Sequence, residues 1–245
     1  YLKYKVFNMK EILRNILNYY RYIKIEKEIV HKSKNVIVVS PHDKQYLERK
    51  YNAKNIVCIT NGVQLGNVQN KTRTKSIKLG VISYWSRGAF LDIKWFFDHY
   101  WLKLLDENPE LVLVIAGKGA EPYMIDFWEK IRGVSYIGEV NEVADFFNLI
   151  DVYLSTVRKS CGILNKVLDA WAHKTYVIGL PHNFYAFPNL KTGFKTFSSL
   201  EELKTLMEQL DTDWDSYYQE IDKVEEYLKQ FHNWNTNYKE LEKLI

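Results

Sequence analysis

Three short stretches of this chain hold residue types able to do chemistry. Arg87 stands beside Gly88 at the end of the segment Ser83–Gly88. A guanidinium is a permanent cation whose planar fork fits two phosphate oxygens, although an ordinary surface charge would show the same spacing. Cys161-Gly162-Ile163-Leu164 leads into a helix start at Asn165. Backbone N–H groups at such a start can take an anion without any special side chain; a plain turn would read no differently. Asp169 lies four residues into that helix, between Leu168 and Ala170. A carboxylate there suits a ribose diol, and equally an exposed helix face.

Other chemistries find no support. His31, His42, His99, His173, His182 and His232 show no metal-ligand spacing with Cys or acids, so no metal is expected. Neither Gly-x-Ser-x-Gly nor a phosphate loop with Gly-Lys-Ser/Thr occurs. Gly117-Lys118-Gly119 opens a Gly-x-Gly-x-x-Gly pattern that the following residues do not complete, which disfavours a dinucleotide oxidoreductase.

The elements that must position these residues follow from periodicity. Residues 8–34 form a helix, with Ile12, Leu13, Ile16, Leu17, Tyr20 and Ile23 recurring at helical spacing. Val36–Val39 is a short apolar strand, and Ser40 caps a helix that opens with Pro41 and Asp43. Ile56–Ile59 is a second strand, closed by Asn61-Gly62. Residues 66–76 hold almost nothing apolar and mark a linker. A second series then begins, with strands over 77–83, 111–116, 134–137, 152–155 and 176–179. Helices over 91–105, 122–131, 143–149 and 165–172 alternate with them, and terminal helices cover 201–210 and 216–231. Such alternation predicts an α/β doubly wound parallel sheet. Ligands bind such sheets at the carboxyl ends of the strands. That gathers Ser83–Gly88, Gly117–Gly119, Gly138-Glu139, Ser155–Lys159 and Cys161–Asn165 at one end.

Composition narrows the class. The 245 residues are 47% hydrophobic and 26% charged, which excludes a disordered or collagen-like chain. Two cysteines, Cys58 and Cys161, give no disulfide framework and fit a reducing compartment. The apolar runs are far shorter than the roughly 20 residues of a bilayer span. A net charge of +4 hides a split: residues 1–80 hold 17 Lys+Arg against 5 Asp+Glu, whereas residues 81–245 hold 17 against 25. A basic face toward anionic lipid, two complementary lobes, or solvated faces of differing sign would each produce it. The basic residues build no nucleic-acid reader module, so nucleic acid is not an expected partner.

The order of motifs resembles retaining glycosyltransferases of the two-Rossmann (GT-B) architecture, family 4, the glycosyl transferases group 1. Val36–Ser40 followed by Ile56–Ile59 and Thr60-Asn61-Gly62-Val63 looks like the passage that closes their N-terminal domain. Leu79–Ile82, Leu111–Gly119, Val134–Val140 and Asp151–Ser155 look like successive strands of their donor domain. Gly162-Ile163-Leu164-Asn165-Lys166-Val167-Leu168-Asp169-Ala170-Trp171-Ala172 is similar to their donor-site helix in its "nKvlE" form.

The resemblance implies a GT-B fold in which one Rossmann-like domain is complete and the C-terminal part of a second precedes it. Residues 1–65 would be the remnant of the acceptor domain and 66–76 the linker. Residues 77–200 would be the nucleotide-sugar-binding domain, and 201–245 helices that cross back to the first lobe. Asp169 falls on the second acid of the family's E-x7-E motif, which holds the nucleotide ribose. Arg87 falls near the cation that pairs with the diphosphate, and Lys94 stands for its lysine partner. Gly162, Ile163 and Leu164 would meet phosphate or sugar through their backbone, and Gly138 the base. The first motif acid falls at Cys161, a departure from the pattern. The implied reaction moves a sugar from a nucleotide-diphospho-sugar to a glycan or lipid-linked acceptor with retained configuration. The donor is substrate, so neither cofactor nor metal is expected, and the setting would be cytoplasmic, at the inner membrane face. A non-catalytic nucleotide-sugar-binding relative or scaffold, favoured by Cys161, and another α/β enzyme such as an epimerase are the alternatives. The chain would be a fragment, or a protein with a reduced first domain.

Overall fold

The computed structural model describes residues 9–66, 76–159 and 162–244. The first part is small. Helix α1 (Met9–Lys32) leads to strand β1 (Val36–Val38), helix α2 (Pro41–Tyr51) and strand β2 (Ile56–Cys58), and the two strands pair in parallel. Ser40 caps α2 as its residue type predicts: its hydroxyl accepts from the amides of His42 at 3.1 Å and Asp43 at 3.3 Å. The C-terminal end of α1 is tied in through Val30, which is buried and whose carbonyl accepts from Asn55 Nδ2 at 2.9 Å. Leu13, Leu17 and Tyr20 on the same helix stay exposed.

The second part holds the main core. Strands β3 (Lys78–Ile82), β4 (Val112–Ala116), β5 (Val134–Tyr136), β6 (Val152–Ser155), β7 (Tyr176–Gly179) and β8 (Phe194–Thr196) form a parallel sheet. Their spatial order is β5-β4-β3-β6-β7-β8, that of a doubly wound nucleotide-binding fold. The expected α/β sheet is therefore present. Continuous apolar strands are what a sheet covered on both faces requires, and Leu79, Leu113, Leu154 and Val177 are fully buried. Each such side chain contributes about 1.5–3 kcal/mol of burial. At the opposite end from the candidate loops, Asp151 staples β3 to β6: its carboxylate accepts from the Lys78 amide at 2.8 Å.

The covering helices are α3 (Arg87–Phe96), α4 (Leu102–Glu107), α5 (Pro122–Glu129), α6 (Val143–Leu149) and α7 (Asn165–Ala172). Helix α3 starts four residues before the expected Leu91, because Ser86 caps it by accepting from the Ala89 amide at 3.3 Å. A π-helical turn, Phe97–Trp101, joins α3 to α4. The extra residue of a π turn widens the face presented to the sheet. Adjacent pairs Phe96-Phe97 and Tyr100-Trp101 are thereby all buried. Strand β8 was not expected, since Phe-Lys-Thr at a sheet edge leaves no apolar run.

Three helices close the chain: α8 (Leu200–Thr212), α9 (Trp214–Phe231) and α10 (Trp234–Glu242), the last beyond the expected terminal pair. The end of α9 and the start of α10 lie on residues 60–63. Thr60 Oγ1 donates to the Phe231 carbonyl at 2.6 Å, and Asn237 Nδ2 donates to the Thr60 carbonyl at 2.7 Å. His232 Nδ1 meets the Asn61 carbonyl at 2.8 Å, and Gly62 gives Trp234 room that a Cβ would take. Of the expected linker 66–76, residues 67–75 lie outside the described residues.

Candidate functional site

Strands β3 and β6 are neighbours in the sheet, and the connections leaving them run in opposite directions, so the sheet opens a crevice between their carboxyl ends. A cavity of about 190 Å³ occupies that crevice. Tyr153 and Ser155 form its floor, Trp85 and Asp92 one wall, and Ile163 and Lys166 the other. Ser155 is 2% exposed, and its hydroxyl has no hydrogen-bond partner among the described residues. A buried polar group left so costs about 1–3 kcal/mol. Asn165 and Lys166, whose amides open α7 and have no partner within the helix, border the same space, whereas the Val167 amide donates to the Leu164 carbonyl at 2.9 Å.

The loops beyond β3, β4 and β5 are laced together beside the cavity. The Ser83 amide donates to the Ala116 carbonyl at 3.2 Å, and the Trp85 amide to that of Lys118 at 2.7 Å. The Trp85 indole also donates to the Ala116 carbonyl, at 2.8 Å. Gly117, at φ +122°, donates its amide to Gly138 at 2.8 Å. A Cβ on Gly117 would stand 1.9 Å from the Ser83 oxygen, so only glycine allows this approach.

The residues singled out in the sequence are not all brought together. Ile163 and Leu164 line the cavity directly. Gly162, at φ +67°, faces the first lobe, where a Cβ would lie 3.3 Å from Val39 and 3.8 Å from Asp43. Asp169 sits behind the cavity wall, its Oδ2 held by Lys166 Nζ at 3.1 Å. Burial, and after it the charge of Asp169, push the Tyr153 hydroxyl well above its ordinary pKa. Arg87 opens α3 and is exposed, with no ion pair among the described residues. Gly138 follows β5 at φ +77°, with open space where a Cβ would stand. Lys94 points elsewhere: its ammonium is 2.6 Å and 2.7 Å from the Asp98 oxygens and 5.2 Å from the centre of the Phe127 ring. Cys161 lies outside the described residues. No group of three metal-ligating side chains occurs among the described residues.

Three residues of the site were not singled out in the sequence: Ser155, Asp92 and Arg158. Arg158 Nε donates to Asp92 Oδ1 at 2.8 Å, and Asp92 and the neighbouring Val157 both line the cavity. The segment Ser155–Lys159 was marked as a strand-end loop, but nothing in its spacing distinguishes one of its side chains.

No curated protein is matched by sequence. Among solved structures, a single-residue mutant of TarM of S. aureus, crystallised with fondaparinux, alpha-GlcNAc-glycerol and UDP, is similar over 91% of this chain at 17% identity and a TM-score of 0.72. HepE of Anabaena, crystallised with UDP and glucose, covers 88% of the chain at 12% identity and a TM-score of 0.67. Sucrose-phosphate synthase of Thermosynechococcus elongatus covers 90% at 17% identity and a TM-score of 0.69. These likenesses show the fold, that of the GT-B glycosyltransferases. The chain spans about half of TarM, 46% of its length, and 63% of HepE. The family model described as glycosyl transferases group 1 matches residues 81–210, more than half of the chain, from the end of β3 into α8, and the chain belongs to that family.

Proposed function

We propose that this chain carries the donor site of a retaining glycosyltransferase of the family 4 type. It would move a sugar from a nucleotide-diphospho-sugar to a glycan or lipid-linked acceptor. The observation that carries the reading is the cavity between β3 and β6, with the first two residues of α7 on one side and the Ser155 hydroxyl, unpartnered among the described residues, on its floor. The diphosphate lies against the amides of those two residues with Arg87 as counter-charge, so the charge that develops on the leaving group meets preorganised dipoles rather than a metal. Asp169 takes the ribose, and the laced loops at Gly117 and Gly138 receive the base. The acceptor hydroxyl attacks the anomeric carbon on the face from which the diphosphate leaves, which keeps the configuration and needs no protein nucleophile. Residues 1–65 act as the end of the acceptor lobe and 201–245 as its tie to the donor lobe. The hydrogen bonds between residues 60–63 and 231–237 support that division.

The UDP in the TarM and HepE structures makes uracil the first base to try. Calorimetric titration of the chain with UDP, GDP and ADP tests the reading. Binding of one of them, lost in Asp169→Ala with the fold intact, is the expected result. Absence of binding to all three, or an unaffected Asp169→Ala protein, overturns it. A second reading, a binding protein without turnover, is favoured by Cys161 in place of the first motif acid. Nucleotide-sugar consumption with acceptor present separates the two. No described helix is long and apolar enough to cross a membrane. The exposed apolar and basic residues of α1 support a peripheral site at the inner membrane face. Sedimentation with anionic but not neutral vesicles is its test.

A further inference from the structure

The cation expected to join Arg87 does not face the cavity, since Lys94 is engaged by Asp98 and lies over Phe127. A different cation pairs with a residue of the cavity lining. Arg158, in the loop leaving β6, donates to Asp92 at 2.8 Å, and Asp92 is itself part of the cavity wall. The guanidinium also lies 5.9 Å from the centre of the Trp95 ring, so stacking as well as charge holds its direction. Its side chain remains 42% exposed, within reach of an anion arriving from solvent. Val157, the preceding residue, lines the cavity, and the unpartnered Ser155 hydroxyl lies two residues before that. A buried hydroxyl without a partner is unfavourable until something supplies the missing bond.

We propose that Arg158 is the second cation of the diphosphate site, held in place by Asp92 and handed over to phosphate when the donor binds. The proposal rests on the donor-site reading above. The pairing turns affinity into a competition. Asp92 keeps the guanidinium fork oriented in the empty site, yet its carboxylate must give way to phosphate and repels it on approach. Ser155 then meets an oxygen of the same phosphate or of the sugar attached to it.

The two partners consequently act in opposite directions, which an ion pair that only braced the fold would not do. The test is calorimetric titration of the 245-residue chain with UDP, and with uridine as the phosphate-free control. Arg158→Ala weakens UDP by about 10- to 100-fold, the loss of charge-assisted hydrogen bonds, and leaves uridine unchanged. Arg158→Lys falls between, keeping the charge and losing the fork. Asp92→Asn binds UDP more tightly than the parent chain, and Arg158→Ala costs more affinity than Lys94→Ala. Circular dichroism melts confirm that each variant folds. UDP affinity within about twofold of the parent for Arg158→Ala, or weakened binding in Asp92→Asn, overturns the proposal. A parent chain that binds none of UDP, GDP and ADP overturns the donor-site reading itself, and this assignment with it.

Discussion

Replacing Gly117 by alanine tests the loop lacing in a way that separates two costs of a side chain. At φ +122° the backbone of Gly117 is one that L residues rarely adopt, and holding such a conformation costs about 1–3 kcal/mol. The added Cβ would also stand 1.9 Å from the Ser83 carbonyl oxygen, and backbone cannot swing aside as a flexible side chain does. Overpacking of that kind adds about 1–3 kcal/mol, so Gly117→Ala should lose about 2–6 kcal/mol. Gly138 is the control. It too has a positive φ, +77°, but nothing lies within 4 Å of its would-be Cβ. Gly138→Ala therefore carries the conformational cost alone, about 1–2 kcal/mol. Urea unfolding of both variants measures the difference, and for a chain of this size each kcal/mol lowers Tm by roughly 2–4 °C. Equal losses in the two variants would refute the reasoning, because they would mean that the approach of Gly117 to Ser83 does not constrain the loops.

Three further outcomes follow from buried polar groups. Burial holds the His232 imidazole below its usual 6.5, outweighing the Asn61 carbonyl that favours its charged form. The unfolded chain then takes up the proton first, so stability should fall as pH drops below about 6.5. His232→Gln should flatten that part of a stability-against-pH curve, and a curve unchanged by the substitution counts against the assignment. The Trp128 indole N–H has no partner among the described residues, whereas that of Trp101 donates to the Arg132 carbonyl at 2.9 Å. Trp128→Phe should therefore be milder than Trp101→Phe by about 1–3 kcal/mol in denaturant unfolding; the reverse order would contradict the hydrogen-bond account. Glu220 accepts from the Tyr176 hydroxyl at 3.1 Å and the Gly193 amide at 2.8 Å, tying α9 to the sheet. Glu220→Ala should cost about 1–3 kcal/mol for each donor orphaned. Glu220→Gln, which keeps an acceptor, should recover most of it, and a melt showing no recovery would assign the loss to packing instead.

What could be read in the sequence was whatever burial dictates over several residues. Val152–Ser155, Asn165–Ala172 and Tyr176–Gly179 are apolar runs or helical periods with turn residues beside them, and the structure has them at those bounds. Strand β8 escaped because an edge strand is satisfied by backbone pairing and needs no apolar signature. Side-chain direction was less legible still. Asp98, one turn after Lys94, decides where that ammonium points. No spacing rule distinguishes an Arg158 that crosses to Asp92, a residue 66 positions away, from one that faces water. The unpaired Ser155 hydroxyl is likewise a property of what surrounds it.

The crevice between β3 and β6 is also the thinnest seam of the sheet. Their register joins two pairs, Leu79↔Val152 and Gly80↔Tyr153, against five between β3 and β4. The hydrogen bond that pins this seam joins Lys78 to Asp151, 73 positions apart in the chain. Closing a loop over such a distance costs more entropy than any other pairing in this sheet, so the two walls of the cavity are joined by its least favourable closure. A small molecule seated across them binds the closed form alone and adds RT ln(1 + [L]/Kd) to its stability. A ligand in that position would act as a fastener on the sheet as well as an occupant of it.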